Sequence, residues 1–176
     1  MASNEIILEI DLERLEKGIK DVRKLQRLID KAMEDALYEL IDRLTNKLRS
    51  KMMEYGLGDS QLMNRIEVFP VQDGISIMLD SEYAVFVEYG TGIVGKENPH
   101  PHATGWIYDY NGHGEKGWWY PTTMADPNPY KWVDPEGQLR AWTKGSKSRP
   151  VMYETWQYGR RIATKIFNKH LGRIKV

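Results

Sequence analysis

Residues 19–52 read IKDVRKLQRLIDKAMEDALYELIDRLTNKLRSKM, and this stretch decides the fold. Apolar side chains at Ile19, Val22, Leu25, Ile29, Met33, Leu37, Leu40, Ile41, Leu44, Leu48 and Met52 recur three or four apart, with Asp, Glu, Lys, Arg and Gln filling most places between them. That period belongs to an amphipathic helix. At the usual rise per residue, the stretch 20–53 would be roughly 50 Å long, more than a domain of this size measures across. Part of its stripe is therefore expected to lie on another copy or to project from the body. The alternative is a helix that packs along its own sheet and breaks near Lys31. Upstream, Asp11 can cap the helix start, Leu12 and Leu15 supply a first turn or two before Gly18 interrupts, and Ile6, Ile7, Leu8 and Ile10 suggest a short strand. Downstream, Gly56, Gly58 and Asp59 form a stop signal followed by a turn.

Beyond the helix, Arg65 to Phe69 and Ile75 to Leu79 flank the turn region Pro70 to Gly74, which predicts a hairpin turning at Asp73-Gly74. Tyr83 to Gly92 fits either a third strand or one helical face, and a short helix with a reversal at Gly90 and Gly92 is the favoured reading. Residues 90–150 hold nine of the fifteen glycines, seven of the eight prolines and five of the six tryptophans. Tryptophans need packing partners, so this is a folded, loop-rich insertion and not a disordered linker. It contains two strand candidates, Gly117 to Tyr120 and Gln138 to Thr143. From Val151 the helical period returns through Met152, Trp156, Ile162, Ile166 and Leu171, with Pro150 at the start. The expected fold is α+β, one domain over 1–176, with a long N-terminal amphipathic helix and a C-terminal helix packed on a small, mostly antiparallel sheet. The insertion is expected over 93–137.

The net charge of zero conceals a partition. Net charge is −1 over residues 1–55, −8 over 56–137 and +9 over 138–176. Such blocks suggest a tail that packs over the acidic middle, or copies that meet through opposite charges. A second reading is a nucleic-acid contact through the basic tail, where Arg160, Arg161, Lys165, Lys169 and Arg173 share an exposed side. There is no cysteine. Disulfides, thiolate nucleophiles and Cys-ligated metals are thereby excluded, and the chain suits a reducing compartment. No apolar run approaches the roughly 18 residues of a spanning helix, which argues against a membrane protein.

Chemistry-bearing clusters are weak. His100 and His102 with His113 and Asp109 form the one metal-like group, but prolines adjoin the His-x-His pair and no closing motif follows. Asp109, Glu115, Asp126, Asp134 and Glu136 are too irregularly spaced for a magnesium site. Gly90 to Lys96 lacks the Gly-Lys-Ser/Thr ending of a phosphate loop, because Glu97 follows Lys96. No serine sits in a nucleophile elbow, and His170 stands alone on a basic helix. The expectation is a protein without catalysis, metal or cofactor.

The segment Tyr83-Ala84-Val85-Phe86-Val87-Glu88-Tyr89-Gly90-Thr91-Gly92 resembles the YA-x-x-VE-aromatic-GT signature of the neck or tail-component family of tailed bacteriophages and prophages, typified by the head–tail joining proteins of long noncontractile-tailed phages. Gly58, Leu62 and Ile66 resemble the family's approach to its hairpin, and Lys147-Ser148-Arg149-Pro150-Val151-Met152 resembles the basic–proline motif that opens its last helix. The resemblance covers residues 10–170. It departs in the long insertion between Gly92 and Gly137 and in Val151-Met152, where an aromatic is common.

The resemblance implies a structural virion protein of the neck or tail, assembled in the host cytoplasm. It would be a ring subunit of the head–tail connector or tail-completion complex, in a homo-oligomeric ring beside adjoining connector and tail proteins, with DNA near its lumen. The residues expected to carry assembly are Tyr83, Phe86, Glu88 and Tyr89 in the signature, Trp118, Trp119, Trp132 and Trp142 in the insertion, and Arg149, Arg160 and Arg161 in the tail. The basic-tailed nucleic-acid-binding protein remains the alternative.

Overall fold

The computed structural model describes residues 11–58, 61–72 and 74–175. It has the expected α+β class. The strand expected at Ile6 to Ile10 and the turn residue Asp73 lie outside the described residues. The chain groups into two compact units, one within Met1–Leu40 and Ile162–Val176, the other Ile41–Arg161. Two helices, α1 (Leu12–Glu54) and α4 (Val151–Leu171), run through both.

Helix α1 begins where Asp11 Oδ1 accepts the Arg14 N–H at 3.0 Å, the expected cap. It is continuous through Gly18 and unbroken at Lys31. A single glycine costs a helix about 1 kcal/mol, too little to stop one with this many good formers on either side. Its end is a Schellman turn: Gly56 adopts φ +70°, its N–H bonds the Met53 carbonyl at 3.0 Å, and the Leu57 N–H reaches the Met52 carbonyl at 2.8 Å. Met52 and Leu57 then meet in the core, the apolar contact that accompanies this turn.

Within Ile41–Arg161 the core gathers Leu48, Met52, Leu57, Leu62 and Val151, with Ile66, Ile77, Leu79, Ala84, Val87 and Met152 against it. The hairpin forms as β1 (Ile66–Val71) and β2 (Gly74–Leu79), antiparallel, with Val71 opposite Gly74 and Ile66 opposite Leu79. Helix α4 closes on α1 here through Gly159, where a Cβ would sit 2.9 Å from Leu44 Cδ2. Glu154 ties the pair further, accepting from Tyr55 Oη at 2.7 Å and pairing with Lys51 Nζ at 2.6 Å. Burial pushes the Glu154 carboxyl up, but hydrogen bonds from Lys51 and Tyr55 outweigh it and the net shift is down. Burial and the bond to Glu154 push Tyr55 up to about 12. Lys51 is raised too, chiefly by its hydrogen bond to Glu154.

In the other unit Ala32, Ala36, Leu40 and Ile166 are buried, and Glu39 accepts from Lys169 Nζ at 2.7 Å and lies 2.8 Å from His170 Nε2.

Residues after the hairpin make α2 (Ala84–Tyr89), the short helix favoured above, and α3 (Gly92–Glu97), which periodicity did not reveal. The tryptophan-rich region folds into a second antiparallel sheet of β3 (Trp118–Pro121), β4 (Lys131–Val133) and β5 (Leu139–Thr143), in the order β3-β5-β4. Its central strand β5 lies beyond the expected end of the insertion at 137, because that strand supplies the partner edge for both others.

Candidate functional site

The tryptophan sheet is held by two aspartates. Asp126 Oδ2 accepts from Tyr120 Oη at 2.7 Å and Thr122 Oγ1 at 2.5 Å, while its Oδ1 takes the Asn128 N–H at 2.8 Å. Hydrogen bonding, led by Thr122, holds its carboxyl below the usual range. Asn128 continues the link, donating Nδ2 to the Trp142 carbonyl at 2.8 Å. Asp134 pins the β4–β5 turn, accepting the Gln138 N–H at 2.7 Å and Arg140 Nε at 2.8 Å. The Arg140 bond lowers its pKa. Gly137, at φ +79°, makes the turn's left-handed step. Both carboxylates thus serve local structure. The signals were readable in Asp126-Pro-Asn128 and Asp134-Pro-Glu-Gly137, both turn-forming patterns.

On this sheet the four tryptophans divide. Trp118 stacks on His113 with centroids 4.9 Å apart, and its ring lies where a Cβ on Gly92 would fall. Trp142 packs edge-on to Tyr130 at 6.1 Å and closes over Gly117. Trp119 and Trp132 instead pair with each other at 5.9 Å and stay about half exposed, at 46% and 49%.

The two blocks singled out in the sequence, 83–92 and 147–152, come together. Arg149 N–H donates to the Val87 carbonyl at 2.9 Å, and Ser148 Oγ to the Glu88 carbonyl at 2.6 Å. The Glu88 side chain is buried at the start of α4. There Oε2 accepts the Met152 N–H at 2.9 Å and Oε1 the Tyr153 N–H at 2.8 Å. These N–H groups have no partner inside the helix, and a carboxylate at a helix N-terminus answers both the hydrogen-bond deficit and the dipole. His100 completes the arrangement. Its Nδ1 accepts the His102 N–H at 2.9 Å, which leaves Nε2 to donate to Glu88 Oε1 at 3.2 Å. With both nitrogens engaged, this ring is committed to the fold.

Behind Glu88 the backbone passes at close quarters. Thr91 and Gly92 bridge antiparallel to Ser146 and Gly145, with Ser146 N–H on Thr91 Oγ1 at 3.1 Å. A side chain on Gly145, at φ +109°, would collide with the Thr91 carbonyl. Gly90 and Gly95 likewise leave no room, and Trp106 Nε1 donates to the Gly90 carbonyl at 3.1 Å. Gly90 to Gly95 is thus a backbone junction and not a phosphate cradle.

The expected contact residues therefore fall into two groups. Glu88 and Tyr89 work inside the chain; Tyr89 stacks on Trp106 at 4.9 Å and lies 4.4 Å from His100. Trp118, Trp142 and Arg149 are also at least partly withdrawn into packing. Tyr83, Phe86, Trp119, Trp132, Arg160 and Arg161 face outward. Trp156, on the apolar period of the last helix, is half exposed and carries Arg160 over its ring at 4.8 Å. A groove beside the junction, about 470 Å³, is lined by Ile75, Ile77, Glu88, Tyr89, His100, His102, Met152, Tyr153 and Trp156.

Among the described residues no group of three His, Asp or Glu side chains could hold a metal ion, and no helix is long and apolar enough to cross a membrane. No family model matches the chain, and neither a curated protein nor a solved structure shows significant similarity to it.

Proposed function

We propose that this chain is a structural virion protein, a ring subunit of the phage head–tail connector or tail-completion complex that acts by protein–protein assembly. The observation that carries the reading is the division of labour at the signature. Residues 87–92 of the signature and 148–153 of the basic–proline block form one junction of α2, α3 and α4, while aromatic side chains on the same unit point outward. Glu88, Gly90, Thr91 and Gly92 are each needed by the backbone, which gives a physical reason for that order of residue types. Tyr83, Phe86, Trp119, Trp132 and Trp156 remain exposed on it. Large aromatics beside arginine are what interface cores use, because they bury much area with little conformational freedom to lose.

The test is the absolute mass of the purified protein by light scattering, alone and with portal and tail-completion proteins, across salt. A ring, alone or templated on a partner, is the expected result. A strict monomer that ignores such partners overturns the reading.

The basic-tailed alternative has one observation in its favour, the outward position of Arg160 and Arg161 on α4. Arg160→Glu with Arg161→Glu separates the two. Loss of DNA retention with assembly intact would favour nucleic-acid binding; under the connector reading, assembly weakens instead.

A further inference from the structure

The stripe on α1 continues past the end of α4. Within the unit formed by the N-terminal part of α1 and the C-terminal part of α4, Ala32, Ala36 and Leu40 are buried. Toward the N-terminus, however, Leu12, Leu15, Ile19, Val22, Ile29 and Met33 are exposed by between 39% and 68%. A polar solvent-facing helix does not carry six large apolar side chains in register.

Their spacing is a heptad. Leu12, Ile19, Gln26 and Met33 fall on one core position (a), and Leu15, Val22 and Ile29 on the other (d). Lys17, Lys24 and Lys31 occupy the position farthest from the core in three successive repeats, and all are exposed. Alternating three- and four-residue apolar spacing with a uniformly charged outer position marks a coiled-coil seam. We propose that the seam Leu12–Met33 packs against the same seam of further copies of this chain, parallel and in register.

Charge and hydrogen bonding select that arrangement. The seam is flanked by Glu16, Arg23 and Asp30 on one side and by Gly18, Leu25 and Ala32 on the other. In a parallel bundle Arg23 faces Gly18 and Asp30 faces Leu25, and the one like-charge approach, Glu16 to Asp11, falls in the first turn. In the antiparallel register that overlaps the whole stripe, Glu16 would face Asp30 and Arg23 would face itself. The shorter antiparallel overlap, which relieves this, buries Gln26 against Leu15. Only the parallel, in-register bundle brings Gln26 to its counterpart, where two carboxamides satisfy each other, the role of a single polar core residue in fixing register. β-Branched residues at d, Val22 and Ile29, favour more than two strands. The exposed seam offers roughly 500 Å² of apolar surface per copy, so a three-stranded bundle removes about 1,500 Å² from water in all, within the range of specific interfaces.

Because the chain lacks cysteine, a single introduced thiol reports one contact. Gln26→Cys in the full-length protein is expected to form disulfide-linked pairs under mild oxidation at least about ten-fold faster than Lys24→Cys on the outer face, since only thiols with Cα atoms within about 7 Å can join. Equal rates overturn the proposal. A second variant, Val22→Glu, is expected to lower the mass seen by light scattering with helix content unchanged. Rings that persist in Val22→Glu would overturn the seam and leave the connector reading standing. Cross-linked bundles that bind no connector protein would uphold the seam and overturn that reading. A mass of one chain at every concentration, with Gln26→Cys unlinked, would overturn the seam in favour of cover from within the chain.

Discussion

Replacing Glu88 tests whether the signature carboxylate is a structural cap. In Glu88→Ala the Met152 and Tyr153 N–H groups lose an ionic acceptor at 2.9 and 2.8 Å, and His100 Nε2 loses its partner at 3.2 Å. Loss of a helix cap costs about 1 kcal/mol, up to about 2 in a tight site. The donor left on His100, itself 4% exposed, adds about 1–3 kcal/mol because water cannot replace the missing acceptor. These losses share one carboxylate and do not simply add, so the expected cost is about 3–4 kcal/mol. For a chain of this length each kcal/mol lowers the melting temperature by about 2–4 °C, which gives a fall of about 6–16 °C. Glu88→Gln keeps one acceptor oxygen but turns an NH2 group toward a donor, and should lie between wild type and Glu88→Ala. The assay is thermal unfolding followed by circular dichroism and repeated in urea. A Glu88→Ala protein melting within about 2 °C of wild type would refute the cap, since that is under about 1 kcal/mol.

Four further outcomes follow from the geometry. Gly145→Ala should lower stability by about 3 kcal/mol or more in urea unfolding, because both the positive φ and the Thr91 carbonyl oppose a side chain. Glu154, Asp126 and Asp134 have depressed carboxyl pKa values in the folded state, so the stability they contribute is present above about pH 4 and is lost as pH falls through their folded values. Denaturation midpoints should decline below about pH 4, less steeply in Asp126→Asn. At the alkaline end Tyr55 and Lys51 are raised, so their stabilisation holds below about pH 10 and fades as pH rises toward their folded values; Tyr55→Phe should flatten that limb. Trp119→Ser with Trp132→Ser should cost only about 2–3 kcal/mol of stability, since both rings are already half exposed, while reducing assembled mass; an unchanged mass would place assembly elsewhere.

The long helix, its Asp11 cap, its Gly56 stop, the hairpin and the terminal helix were all legible in the sequence. Each follows from contacts between residues a few positions apart: a 3.6-residue stripe, a carboxylate three residues from the N–H it caps, a glycine in the left-handed region. The fates of Glu88 and the tryptophans were not legible. Glu88 meets its donors 64 and 65 positions along the chain, and no local pattern encodes that distance. Whether a tryptophan is an anchor inside the fold or a surface outside it depends on which face of β3, β4 or β5 it occupies. Trp118 and Trp119 are adjacent, yet strand alternation sends one into the packing and leaves the other in solvent. Helix α3 and the bridge to Gly145 exist only because two glycine-bearing segments, 90–95 and 145–146, pass too closely for side chains. The sequence by itself determined the two long helices and the hairpin, since their energetics are local and periodic. The tertiary structure alone decided which motif residues are spent on holding those elements together, because a buried carboxylate or a crowded glycine acquires its role from whatever chain the fold brings beside it.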